Sequence, residues 1–172
     1  MRKKTARKTA KKRALDVIEI INSPMLTIWD GEQMVPSGGR VLLTLDAETL
    51  VGANLSRRRL NWAYLPSADL RRVNFSRSFL NRADFSHANL GGVNFEGTSL
   101  MAANLQGADL AAASLCGAWL PGAHLQGADL RFAVLQGANL RFASYDETTL
   151  WPEGFDPQEA GAMPSQIKDV IL

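Results

Sequence analysis

SLCGAWLPGAHLQGADLRFAVLQGANLRFASY, residues 114–145, places a large apolar residue at every fifth position, from Leu115 through Leu140 to Tyr145. An alanine stands two residues before each, from Ala113 to Ala143. A period of five matches neither the 3.6 of an amphipathic helix nor the alternation of a long strand. A short extended piece followed by a turn does satisfy it, because the alanine and the leucine then point to the same side. Repeated turns of one hand make a coil.

Read outward from this stretch, the phase holds from Leu55 to Leu150, with Phe75, Phe85, Phe95 and Tyr145 standing in for leucine. No leucine between 51 and 150 falls out of phase. The small position is Ala in fourteen of the twenty units, and otherwise Val73, Val93, Ser78, Thr98, Thr148 or Arg58. Gly92, Gly97, Gly107, Gly117, Gly122, Gly127 and Gly137 fall two residues after the large apolar one, where a turn with positive φ accepts glycine without steric cost.

The units "ANLQGADL" and "AHLQGADLRFAVLQGANLRFASY" resemble the pentapeptide repeat family, whose consensus is A(D/N)LXX. The resemblance covers residues 51–150. It implies an all-β solenoid, a right-handed quadrilateral β-helix of about five coils with short capping segments at both ends. Each coil takes four units, with the small and the large apolar residues inward and the other three outward. At a strand spacing of about 4.8 Å the regular solenoid is about 24 Å long. The expected organisation is a basic flexible tail over 1–14, an N-terminal helix or hairpin capping segment over 15–50, the β-helix over 51–150, and a C-terminal cap and tail over 151–172.

Residues twenty apart then stack, which converts the sequence into a surface. One column reads Arg59, Phe79, Ser99, Trp119, Asn139; beside it run Asn61, Asn81, Met101, Pro121, Arg141 and then Trp62, Arg82, Ala102, Gly122, Phe142. Trp62, Phe79, Arg82, Trp119, Arg141 and Phe142 are therefore the candidate partner-binding residues, because aromatic and arginine side chains dominate binding hot spots. The column Asp69, Asn89, Asp109, Asp129, Thr149 is polar throughout, and Asp84, Asn104, His124, Ser144 is polar once Tyr64 is passed.

The flanks carry capping material. "MLTIWDGEQMV" reads as two short strands around Asp30-Gly31, and "YDETTLWPEGFDPQEAGAMPSQIKDVIL" as a terminal segment with a short helix after Asp156. This rear segment is similar to the tails of cyanobacterial pentapeptide repeat proteins. Arg58 occupies an inward position of the first coil. A guanidinium is costly to bury, so that corner is expected to be distorted or open toward the cap.

Catalytic chemistry is not expected. His87 and His124 lie two coils apart on one side, about 10 Å by strand spacing, and Cys116 lies on another. There is no zinc spacing, phosphate loop or nucleophile elbow, and Asn89 interrupts Asp69, Asp109 and Asp129, so neither a metal nor another cofactor is expected. Cys116 is the only cysteine, which excludes an intrachain disulfide. No segment approaches the roughly 18 uninterrupted apolar residues of a membrane span, and Asp16 and Glu19 interrupt the run after the basic stretch, so no signal peptide is read and a cytoplasmic protein is expected.

Charge distinguishes the binding classes. Eight of the 19 Lys and Arg residues lie between Arg2 and Arg13, a polycation able to contact nucleic acid, an anionic surface or an acidic protein. Coils one and two carry seven arginines against Asp69 and Asp84, whereas coils three to five carry five carboxylates against Arg131 and Arg141. Some members of the resembled family mimic duplex DNA and protect type II topoisomerases such as gyrase, conferring fluoroquinolone resistance. A surface split between basic and acidic halves is a poor copy of a uniformly anionic rod. The expected function is a non-enzymatic scaffold for an unidentified protein partner, with the alternatives of nucleic-acid binding through residues 1–13 and the arginine-rich coils, or topoisomerase protection. Self-association through the exposed face or the C-terminal segment fits the same surface.

Overall fold

The computed structural model describes residues 50–165 in full, together with the strands β1 (Val17–Ile21), β2 (Thr27–Trp29), β3 (Met34–Pro36) and β4 (Val41–Asp46). The expected basic tail over 1–14 lies outside the described residues. β1 pairs antiparallel with β4, and β2 with β3, the latter in the register Thr27 to Pro36. Val17–Ile21 is thus a strand, not the helix allowed for between 15 and 50; its β-branched residues suit a pleated surface better than a helical turn.

From Leu50 to Ala143 every unit but the one at Arg58 makes the same corner. The carbonyl of the large apolar residue accepts the N–H three residues on, as in Ala63 to Leu60 at 3.1 Å and Ala118 to Leu115 at 3.0 Å. The second corner residue has positive φ at each step from Gly52 to Phe142, including Trp62 (67°), Arg82 (58°) and Phe142 (60°). This is the geometry of a type II turn. A side-chain-bearing residue held left-handed costs about 1–2 kcal/mol, and what offsets it is visible in the backbone: the same residue donates its N–H to the coil above. Trp62 reaches the Asn81 carbonyl at 2.9 Å and Arg82 that of Met101 at 2.8 Å.

Between corners the chain is extended for about three residues, and the central one bridges in parallel to its equivalent twenty positions away. Arg59, Phe79, Ser99, Trp119 and Asn139 form one such ladder. The architecture is a right-handed quadrilateral β-helix. Its interior is a column mostly of Leu and Ala, the majority at or near zero exposure, with Phe75 stacked on Phe95 at 5.5 Å and Phe85 edge-on to both. Where the small position is not apolar, its hydroxyl is hydrogen-bonded: Ser78 donates to the Leu55 carbonyl at 2.8 Å and Thr98 to that of Phe75 at 2.7 Å. A buried hydroxyl without such a partner would be costly.

The Arg58 corner is open. Its side chain is exposed, and its N–H bonds the Ser78 hydroxyl at 3.0 Å rather than the Leu55 carbonyl. Ser78 therefore closes in two steps the turn that a carbonyl closes in one elsewhere.

The expected phase fails at the other end. Leu150 is 43% exposed and bridges to Asp129, while Thr149 is buried. One extra residue has entered the preceding corner, so Thr149 takes the small inward position expected for Thr148, and Trp151 packs on the core where Leu150 was expected. The polar column accordingly ends in Leu150 and not Thr149. Asp146 organises the slip: its Oδ1 accepts the N–H of Gly127 and of Thr148, each at 3.0 Å, and the Thr148 hydroxyl at 2.7 Å. Thr149 then donates its hydroxyl to the Leu125 carbonyl at 2.9 Å.

Past the slip the chain closes the solenoid. β5 (Ser144–Tyr145) pairs in parallel with β6 (Met163–Pro164). Trp151 lies edge-on to Tyr145 and stacked on Phe155, at 5.5 and 5.3 Å, against the core. The helix expected after Asp156 is only a run of turns, capped by Asp156 Oδ1 accepting the N–H of Gln158. Too few residues separate Pro157 from Gly161 (φ 86°), where the chain turns back toward Arg141 and Ala143.

The hydrogen bond from the Thr148 hydroxyl holds the Asp146 carboxyl below its usual range, against a smaller opposing effect of burial. A carboxyl lowered in the fold stabilises it above about pH 3.9, the unfolded value, and ceases to do so as pH falls through its folded value. Asp146→Ala should therefore lower the melting temperature at neutral pH by a few degrees, on the order of 1 kcal/mol. Thermal scans should show that deficit shrinking below about pH 4, as the wild-type carboxyl protonates; a deficit constant with pH would contradict the latch.

Candidate interaction face

Trp119 is fixed through its backbone. Its N–H donates to the Thr98 carbonyl at 2.8 Å and its own carbonyl accepts from Leu100 at 2.6 Å. Neighbours Ala118 and Leu120 point inward, so the indole is turned out and 52% exposed. Phe79, two rungs below in the same column, is 49% exposed. Ser99 between them donates its hydroxyl to Asn81 Oδ1 at 2.6 Å, and that oxygen also accepts the Met101 N–H at 3.0 Å. Asn61 accepts the Asn81 N–H in the same way. This asparagine ladder ties successive corners together beside the rings, leaving Met101 and Pro121 in the adjoining column.

The next column turns the corner. The Arg82 guanidinium lies 4.7 Å from the centre of the half-buried Trp62 ring, and that of Arg141 lies 5.1 Å from the ring of Phe142. The six sequence-derived residues therefore fall into two groups. Phe79 and Trp119 form a flat panel, while Trp62, Arg82 and Ala102 line a shallow groove with Asn104, Gln106 and His124 of the next face. Phe142, more than half exposed, and Arg141 stand at the last rung, where the Phe142 N–H is held by the Gly161 carbonyl at 2.8 Å.

Two near-identical units expose the rule behind the arginine geometry. In "ADLRF", 128–132, Asp129 forms an ion pair with Arg131 at 2.7 Å, whereas in "ANLRF", 138–142, Asn139 has no charge to offer and Arg141 stacks on Phe142 instead. The backbone is the same in both, since Asp129 and Asn139 each accept the N–H two residues on at 3.0 Å. Asp69 and Arg71 repeat the first arrangement. In both pairs the hydrogen bond between the side chains lowers the aspartate and raises the arginine pKa.

Phe132 was not foreseen as an exposed aromatic. It is 80% exposed at a left-handed corner, on the column of Gly52, Arg72, Gly92 and Ala112. That column stands diagonally across the coil from Phe142, two corners away. The repeated tripeptide "LRF" was the available signal.

The chemistry-bearing residues stay apart. His87 leans across the next coil so closely that a Cβ at Gly107 would come 2.5 Å from its Nδ1, and any other residue there would have to displace the imidazole. His124 Nδ1 is 3.2 Å from the Ser144 hydroxyl, and Cys116 is half-buried on another corner. Among the described residues, no His, Cys, Asp and Glu side chains gather as a metal set, and no helix is long and apolar enough to cross a membrane.

The family model for pentapeptide repeats matches in 8 copies, over residues 49–82, 80–114 and 108–143. Among solved structures, alr5209 from Nostoc Pcc 7120, a pentapeptide repeat protein, is 35% identical over 64% of this chain and 84% of its own, with a TM-score of 0.30. HetL from Nostoc sp. strain PCC 7120, a pentapeptide repeat protein involved in heterocyst differentiation regulation, is 31% identical over 67% of this chain and 56% of its own, with a TM-score of 0.39. QnrB1, a plasmid-mediated fluoroquinolone resistance protein, is 21% identical over 66% of this chain and 65% of its own, with a TM-score of 0.35. No curated protein matches.

Two substitutions test the placement of side chains. Trp119→Ala should leave thermal stability within about 0.5 kcal/mol of wild type, while Leu120→Ala should cost about 2–5 kcal/mol; equal losses would put the indole in the core. Asn139→Asp should draw Arg141 away from Phe142 into an ion pair, read as loss of the ring-current shift on the guanidinium and arginine methylene protons.

Proposed function

The chain belongs to the pentapeptide repeat family, and from that premise we propose that it is a non-enzymatic, cytoplasmic scaffold that holds a protein partner against Trp62, Phe79, Arg82, Trp119, Arg141 and Phe142. The observation that carries this reading is the combination at Trp119 of a fully bonded backbone with a half-exposed indole. A backbone held so rigidly adds little to the entropy lost on binding, and large aromatic anchors supply most of the energy at protein interfaces. Phe79, Met101 and Phe142 add exposed apolar surface beside it.

A second reading is favoured by one observation of its own. Arg57, Arg58, Arg59, Arg72 and Arg77 are exposed, and none has a carboxylate partner among the described residues. With the basic run of residues 1–13 they offer a surface for nucleic acid or another polyanion. Topoisomerase protection by DNA mimicry has less support, because Asp69 and Asp129 of the acidic column are each engaged by their own arginine. The likeness to QnrB1 extends to the fold alone.

Affinity capture from the native host, with Phe132→Ala as the control on the opposite corner, tests the preferred reading. A partner retained by wild type and Phe132→Ala should be reduced about tenfold or more by Trp119→Ala, the loss of roughly 1.4 kcal/mol. Equal retention by all three proteins would refute it, and loss of the partner only on deleting residues 1–13 would transfer the function to the tail.

A further inference from the structure

Building on the reading of this face as a docking surface, we infer that its occupant is an extended polypeptide segment with acidic residues at both ends and apolar side chains between them. The first ground is charge. The five rungs of the face, residues 58–62, 78–82, 98–102, 118–122 and 138–142, contain Arg58, Arg59, Arg82 and Arg141 and not one Asp or Glu. All the carboxylates of the repeats lie on other columns. The arginines are also placed unevenly: three belong to the first two rungs and one to the last, with Phe79, Met101, Trp119 and Pro121 between.

The second ground is the state of those guanidinium groups. Arg71 and Arg131, elsewhere on the solenoid, are each paired through Nε and Nη2 with their own aspartates. Arg82 and Arg141 instead lie over aromatic rings, and neither has a side-chain hydrogen-bond acceptor or a carboxylate partner among the described residues. Stacking occupies the plane of a guanidinium and leaves its in-plane N–H groups available, the donors that grip a carboxylate in bidentate fashion. Asn139, in the position that is Asp in the paired units, is what keeps Arg141 in this state.

Dimensions set the length. Four rung spacings of about 4.8 Å separate the first rung from the last, about 19 Å, and a strand rising about 3.3 Å per residue spans that distance in about six residues. Such a segment running along the solenoid axis sets carboxylates on Arg82 and the neighbouring Arg58 or Arg59 at one end and on Arg141 at the other, with apolar side chains against Trp119 and Phe79. Single-stranded nucleic acid fits less well. It needs cations tracking every phosphate and ring faces for successive bases, whereas the middle of this panel offers Met101, Pro121 and no cation.

The test uses the full-length protein and fluorescein-labelled probes followed by anisotropy. One synthetic peptide has acidic ends and an apolar middle, a second has lysine in place of each acidic residue, and a third probe is an oligothymidylate of similar length. The acidic peptide should bind in the micromolar range, more weakly as salt is raised, and at least tenfold more weakly to Trp119→Ala and to the double variant Arg82→Gln with Arg141→Gln; circular dichroism establishes that both variants fold. The lysine peptide and the oligonucleotide should bind no better to wild type than to Trp119→Ala. Equal binding of both peptides, abolished by Trp119→Ala, would overturn the acidic occupant while sparing the docking face. Tighter oligonucleotide binding that depends on Trp119, or no binding of the acidic peptide at millimolar concentration, would likewise overturn it. Acidic-peptide binding that survives Trp119→Ala but is lost with residues 1–13 would overturn both the occupant and the docking face.

Discussion

The structure depends on one hydrogen bond repeated at the corners from Gly52 to Gly122. The residue held left-handed at the turn donates its N–H to a carbonyl nineteen positions along the chain, as Trp62 does to Asn81 and His87 to Gln106. The turn strains the backbone locally, and the bond to the coil above offsets that strain only when the next coil is in place. Corners and stacking therefore stabilise one another, the nearest-neighbour cooperativity of a solenoid. It also explains how arginine, tryptophan and phenylalanine occupy positions that glycine would fill with less strain: Trp62, Arg82 and Phe142 are all left-handed corner residues that make this bond.

The same constraint generates the candidate interaction face. With both backbone neighbours committed inward, an outward side chain has no freedom to bury itself, and a large apolar residue there stays exposed. Trp119 and Phe79 are exposed for this reason, and not for want of core space. What each outward side chain does is then decided by its neighbours one, two and twenty residues away. Asp129 captures Arg131, whereas Asn139 leaves Arg141 to Phe142, and Arg82 settles on Trp62 one rung below.

The two ends depart from the pattern by different means. At Arg58 a side chain too polar for the interior leaves the corner open, and the Ser78 hydroxyl fills the gap. After Tyr145 an inserted residue shifts the phase, and Asp146 absorbs it by gathering two backbone N–H groups and a hydroxyl. Trp151 and Phe155 then pack against the core near Tyr145. Both repairs use short polar side chains that accept or donate where a regular corner would use the backbone, since buried polar groups need partners.

The five-residue period by itself determined the coil, the inward column and the stacking of residues twenty apart. Phe79 beneath Trp119 followed from arithmetic, because a regular backbone repeats each environment at a fixed interval. The open corner at Arg58 was legible too, from the cost of burying a charge. Tertiary structure alone decided the rest. The slip that exposes Leu150 was invisible because a leucine in phase looks inward whether or not a corner has gained a residue. The single aromatic face divided into a panel and a groove, because the Trp62 and Arg82 side chains meet residues of the next face at their corner. Whether an arginine pairs, stacks or stands free depends on distances of a few ångströms between side chains, and a period along the chain carries no information about those.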